Sequence, residues 1–195
     1  MSIAFAVGNG ISRQGVSLQH LLTVGPVYGC NAVFQEFTPT VLVATDRPIA
    51  TRIQESGYSI KNRFYTRRPI QGSGATVIPQ PYFGFSSGPV ATAIAALDQN
   101  QRIYMLGFDM GPAENKTFNN IYAGTEFYKP VGSAPTYTGN WVKQITQIAQ
   151  DFPRVIFERV IGPTTAHIPE FESVKNIQHI PLSTFVSRIN TQKDL

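Results

Sequence analysis

The sequence predicts an α/β fold: a single Rossmann-like domain, a mostly parallel sheet with helices on both faces. Three observations carry this expectation. Short apolar or β-branched runs alternate with helical segments over the 195 residues. The first run breaks on Gly8-Asn9-Gly10 and restarts at Ser12 as a polar–apolar segment of helical character. Glycine or polar residues then recur at the ends of later runs, the edge at which open parallel sheets take ligands.

Residues 3–8 read as a buried strand and Gln14–Leu22 as a short helix. Pro26–Cys30 is a second strand, ending at Cys30-Asn31, and the β-branched run Thr40–Thr45 is a third, stopping at Asp46. A helix follows near Ile49–Ser56, and residues 62–65 form a further strand. Residues 69–88, rich in Gly, Ser, Pro and aromatics, read as a loop. Ser86-Ser87-Gly88-Pro89 opens the next helix, with serine capping and proline in the first turn. Arg102–Leu106 is a strand ending at Gly107-Phe108-Asp109. Residues 111–138 carry Gly, Pro, Asn and Tyr without periodicity, and so long an irregular segment in a compact domain suits a lid. Trp141–Phe152 is an amphipathic helix, Arg154–Val160 a strand and Leu182–Ile189 the final helix.

Composition narrows the function classes. The length fits one domain, and charged residues make up only 14%, a loop-rich folded composition rather than a disordered one. The net charge of +4 mildly favours anionic partners such as nucleotides. Nucleic acid is not indicated, because the basic residues scatter apart from Arg63, Arg67 and Arg68, and no aromatic–basic repeat appears. One cysteine excludes an internal disulfide, and with three histidines there is no zinc pattern, so no metal is assigned. No run approaches the roughly 20 apolar residues of a membrane span, and the N-terminus lacks a basic leader region. A cytoplasmic protein is the expectation.

Five elements thus fall on one predicted rim: Gly8-Asn9-Gly10, Cys30-Asn31, Asp46, Ser86-Ser87-Gly88 and Gly107-Phe108-Asp109. Free N–H groups at a glycine turn or a helix start suit an anion, as do Ser12 and Ser87 beside them. The alternatives at each position are ordinary: a strand–helix turn, an asparagine tolerating left-handed backbone, a capping serine. Asn9 and Asn31 can orient a ligand but cannot exchange protons. Asp46 and Asp109 suit a ribose hydroxyl or a divalent metal, or else cap a helix. Tyr122 and Tyr128 offer phenol donors to a phosphate, or else pack the loop. His20, His167 and His179 lie away from the rim, and no catalytic residue is assigned.

Together these motifs resemble the bacterial sialyltransferases, glycosyltransferases that use CMP-sialic acid, and the related domain of pterin pyrophosphokinase-like proteins. The matching residues are Gly8-Asn9-Gly10-Ile11-Ser12, Cys30-Asn31, Ser86-Ser87-Gly88 and Ile103-Tyr104-Met105-Leu106-Gly107-Phe108-Asp109, over roughly residues 3–160. The resemblance implies that Asn9, Gly10, Asn31, Ser86 and Ser87 hold a CMP-type sugar donor, with Tyr122 and Tyr128 reaching it from the lid. It also implies a general-base histidine just ahead of a helix, where this chain has Asn140, an amide that cannot act as a base. The chain further resembles short uncharacterised proteins of large tailed cyanophages.

The function expected is binding of a nucleotide or nucleotide-sugar, with sugar transfer from a CMP-type donor and no further cofactor. The binding residues are Gly8, Asn9, Gly10, Ser12, Asn31, Ser86, Ser87, Gly88, Asp109, Tyr122 and Tyr128. The alternative is a non-catalytic virion or interaction protein retaining the fold, with a homo-oligomer or virion partner. It would sit in the host cytoplasm or the virion if phage-encoded. A pyrophosphokinase-like enzyme using ATP and magnesium through Asp46 or Asp109 is the third reading.

Overall fold

A computed structural model describes residues 1–192, and the chain there is built of strands and helices in near-strict alternation. The first half holds β1 (Ile3–Val7), α1 (Leu18–Val24), β2 (Val27–Cys30), β3 (Val41–Val43), α2 (Arg47–Glu55), α3 (Tyr58–Lys61), β4 (Arg63–Thr66) and β5 (Thr76–Val77). The second holds α4 (Ser87–Leu97), β6 (Arg102–Leu106), α5 (Gly139–Asp151), β7 (Ile156–Ile161), β8 (Ile177–Pro181) and α6 (Leu182–Thr191). All eight strands join one sheet in the order β5-β4-β3-β2-β1-β6-β7-β8, and every neighbouring pair is parallel. This is the Rossmann-like α/β arrangement, doubly wound, with its topological switch between β1 and β6.

Alternation along each strand explains why both faces must be covered. On β1, Ala4 and Ala6 face a cluster that includes α4 and α5. Phe5 and Val7 face the opposite cluster, with α1, α2 and α6. Both sets are fully buried, as expected of parallel strands sandwiched between helices. The small Ala4 and Ala6 leave room for α4, whose Val90, Ala91, Ala93 and Ala95 are themselves completely buried. That helix runs through the middle of the molecule and aims its first residues at the switch point.

Several elements differ from expectation for local reasons. The helix expected over Gln14–Leu22 starts at Leu18: Gly15 adopts φ +88°, and Ser17 caps the shortened helix by accepting from the His20 N–H at 3.1 Å. The loop expected over 69–88 contains the two-residue strand β5. β8 was not foreseen, because Ile177-Gln178-His179-Ile180-Pro181 carries polar residues that an edge strand leaves exposed. The segment 111–138 has neither helix nor strand, as anticipated. Among the described residues no helix is long and apolar enough to cross a membrane.

Candidate functional site

Where β1 and β6 part, the segments leaving the two strands approach too closely for side chains. A Cβ on Gly10 would lie 2.5 Å from the Asp109 carboxyl carbon, and one on Gly107, itself at φ +70°, would lie 2.5 Å from the Gly8 carbonyl. The Gly10 N–H donates to the Gly107 carbonyl at 2.9 Å, and the Gly8 N–H to Leu106 at 2.8 Å. These glycines therefore serve backbone–backbone approach as well as opening the space above it.

That space is a cavity of about 320 Å³, within the usual range for a small-molecule site. Its wall combines the Gly8–Gly10 turn, Cys30-Asn31, Thr45-Asp46, Ser86–Gly88 and Gly107–Asp109, with Asn119, Asn120 and Trp141 closing it. All five rim elements meet here because each terminates a strand at the same sheet edge or starts the helix that packs under it.

The polar groups divide into those spent on the fold and those facing the cavity. Asp109, only 3% exposed, is of the first kind. It accepts from the Ser12 N–H at 3.0 Å and the Ser12 hydroxyl, from Asn119 Nδ2 at 3.1 Å, and from Thr164 and Thr165 hydroxyls at 2.7 and 3.2 Å. A carboxylate has about four lone-pair positions, so five donors leave none for a metal or a ribose hydroxyl. The N–H groups that the first turn would offer an external anion are thus held internally, Ser12 by Asp109 and Ile11 by the Asn119 amide oxygen at 2.8 Å. The anion expected at this turn is the protein's own.

Asn9 is likewise engaged. Its Nδ2 donates to the Cys30 carbonyl at 3.1 Å, and its Oδ1 accepts from Arg13 Nη2 at 3.1 Å. Arg13 is a buried residue that sequence reasoning missed; it also donates to the Gly8 carbonyl at 2.8 Å and the Tyr122 hydroxyl at 3.2 Å. Tyr122 in turn donates to Glu36, and Tyr128 accepts from the Ala32 N–H at 3.4 Å. Burial pushes both phenols well above their ordinary range, for Tyr122 with the Glu36 carboxylate adding to it. Neither tyrosine lines the cavity, nor does Ser12. The 111–138 segment instead presents Asn119 and Asn120 and is tied down by the Ile121 N–H, 2.8 Å from the Asn9 carbonyl.

What faces the cavity is Asn31, Thr45, Asp46 and the start of α4. Asn31 sits at φ +56°, and its Oδ1 accepts from the Ser87 hydroxyl at 3.1 Å. Its Nδ2 has no protein partner among the described residues. Ser87 Oγ also accepts from the Thr45 N–H at 3.0 Å, so this hydroxyl locks β2, β3 and α4 together. Ser86 has no side-chain capping bond, and its N–H donates to Gln144 at 2.9 Å on α5. The following Ser87 and Gly88 N–H groups, in the first helical turn, have no backbone acceptor below them. Cys30 is buried, and burial pushes its thiol up to about 12.

Among the described residues no lysine, arginine or histidine lines this cavity, and Asn140 is exposed at the start of α5. Among the described residues no group of three His, Cys, Asp or Glu side chains converges for a metal. The arrangement can orient a ligand by amide, hydroxyl and backbone N–H groups and offers one exposed carboxylate, Asp46. Compared with family models, curated proteins and solved structures, the chain gives no match.

Proposed function

We propose that the chain binds a nucleotide or nucleotide-sugar at this cavity, a CMP-type donor being the ligand its motifs imply, and that sugar transfer is the reaction the site would serve. One observation carries the reading. Asn31, Thr45-Asp46 and the α4 start surround a single cavity at the switch point of a doubly wound sheet, the position where such sheets take nucleotides. In this reading the Ser87 and Gly88 N–H groups meet the phosphate, where the helix dipole favours negative charge. Asn31 orients the base or sugar through its free Nδ2, and Asp46 accepts from ribose hydroxyls. A cytoplasmic setting, or the host cytoplasm or virion for a phage-encoded chain, belongs to the same reading.

A second reading, a binding or virion component without chemistry, is favoured by the lack of a basic side chain at the cavity among the described residues and by Asn140 in place of a base.

A thermal-shift screen with CMP, a CMP-sugar and other nucleotides, with and without magnesium, tests the proposal, since a ligand of the native state raises Tm. A saturable shift with cytidine nucleotides is expected, with affinity reduced about tenfold or more in Asn31→Gly. Glycine is chosen because it keeps the left-handed backbone while removing the amide. No shift with any nucleotide at millimolar concentration would remove the nucleotide reading and favour the second.

A further inference from the structure

We infer that a phosphate-binding subsite lies beside the nucleotide cavity, across the shared wall Thr45-Asp46, and that Arg47, Arg67 and Arg68 form it. A separate cavity of about 240 Å³ opens there, between α2 and the end of β4, and these three arginines line it. Asp46 is the one acidic residue in its wall among the described residues.

The accounting of arginines sets this group apart. Arg13, Arg52, Arg63, Arg102 and Arg188 each lie within ion-pair distance of a carboxylate. Arg159 is spent on buried backbone carbonyls. Among the described residues, Arg47, Arg68 and Arg154 make no side-chain hydrogen bond and no ion pair; Arg154 lies outside this cavity, whereas Arg47 and Arg68 both line it. Arg67 is held in place: its Nε donates to the Phe83 carbonyl at 2.9 Å, and its Nη2 to Gly84 and Phe85 at 3.0 and 2.8 Å. Its Nη1 has no protein partner among the described residues. One carboxylate, Asp46, against three guanidiniums leaves an excess of positive charge at this cavity, which an oxyanion would neutralise. Guanidinium forks match the oxygens of a phosphate.

The position gives the subsite a use. A ligand leaving the nucleotide cavity along the Thr45-Asp46 wall would meet Asp46 with its hydroxyls and the arginines with its next anionic group. The inference rests on the nucleotide reading only for what fills the neighbouring cavity. The phosphate is either the terminal group of one nucleotide spanning both cavities or a phosphate from a separate molecule.

Calorimetric titration of the full chain at fixed ionic strength, with CMP, CDP and inorganic phosphate, tests this. The variant is Arg47→Ala/Arg68→Ala, whose altered side chains are exposed, so its circular dichroism should match the wild type and its ligand-free Tm should not fall. The subsite predicts phosphate binding that weakens about tenfold or more in the variant. A preference for CDP over CMP of about tenfold, lost in the variant, identifies the terminal phosphate of a spanning nucleotide. Phosphate binding unchanged by saturating CDP, and also lost in the variant, identifies a separate phosphate, since the terminal phosphate of a spanning CDP would occupy the subsite itself. If CMP does not bind while phosphate binding still depends on the two arginines, the nucleotide reading fails and the subsite stands. Phosphate that does not bind the wild type at millimolar concentration, or binds the variant equally well, overturns it.

Discussion

Replacing Asp109 by alanine removes the acceptor on which the loops after β1, β6 and β7 converge. Of its five donors, the hydroxyls of Ser12, Thr164 and Thr165 can rotate toward other acceptors. The Ser12 N–H cannot, and it is buried. Asn119 Nδ2 keeps the Gly111 carbonyl at 3.1 Å but loses its second partner. A stranded buried donor costs about 1–3 kcal/mol, and the lost charge-assisted bonds add to it, giving about 3–5 kcal/mol for Asp109→Ala. For a chain of this size that lowers Tm by about 10 °C. Asp109→Asn should cost only about 1–2 kcal/mol, because its amide nitrogen can turn to the Ser12 and Thr165 hydroxyls, which can accept. Urea unfolding followed by circular dichroism and by the single Trp141, itself at the cavity, measures both variants. Asp109→Ala within about 1 kcal/mol of wild type, or no gap between the two variants, would refute the account of Asp109 as the internal anion of the rim.

The other predictions test separate parts of the same frame. Gly107→Ala meets both φ +70° and a 2.5 Å approach to the Gly8 carbonyl, and should destabilise the protein by more than about 2 kcal/mol in the same unfolding assay. Arg159→Lys cannot reproduce the four guanidinium donations to Phe108, Asp109 and Ala166 carbonyls. It should cost about 2–4 kcal/mol and loosen the backbone under the cavity, seen as faster amide exchange there. Cys30, its thiol pushed up to about 12 by burial, should resist iodoacetamide at pH 8 in the folded state and react at the free-thiol rate in urea. Prompt labelling of the folded protein would show that the end of β2 opens far more readily than its packing implies.

The sequence foretold much of the fold because the central strands are locally unambiguous. Ile3–Val7, Val41–Val43 and Arg102–Leu106 are buried runs of strand length, so parallel topology gathers Gly8, Asp46 and Gly107 beyond them at one edge, with Asn31 at the end of β2 and Ser87 at the start of α4 joining them. Edge elements were harder to see. β5 has two residues and β8 is half polar, so neither has a pattern distinct from loop. At the site, residue types could be placed but not their partners. Asp109 was visible as a strand-end acid, yet its saturation depends on Ser12, Asn119, Thr164 and Thr165, contacts up to 97 residues apart in the chain. Arg13 and Arg159 gave no signal at all, since a lone arginine reads as surface until its carbonyl partners are known. Tyr122 and Tyr128 face Glu36 and Ala32 because the 119–128 segment is anchored by Asn119 and Ile121, contacts that composition does not encode.

A ¹⁵N-resolved titration of the chain with CMP tests the central claim most directly, because it reads binding and location together. Saturable shifts are expected in the Ser87 and Gly88 backbone amides and the Asn31 side-chain amide, with the Ser12 and Ile11 amides, already held by Asp109 and Asn119, moving little. Shifts confined to another surface, or no shift at millimolar nucleotide, would contradict it.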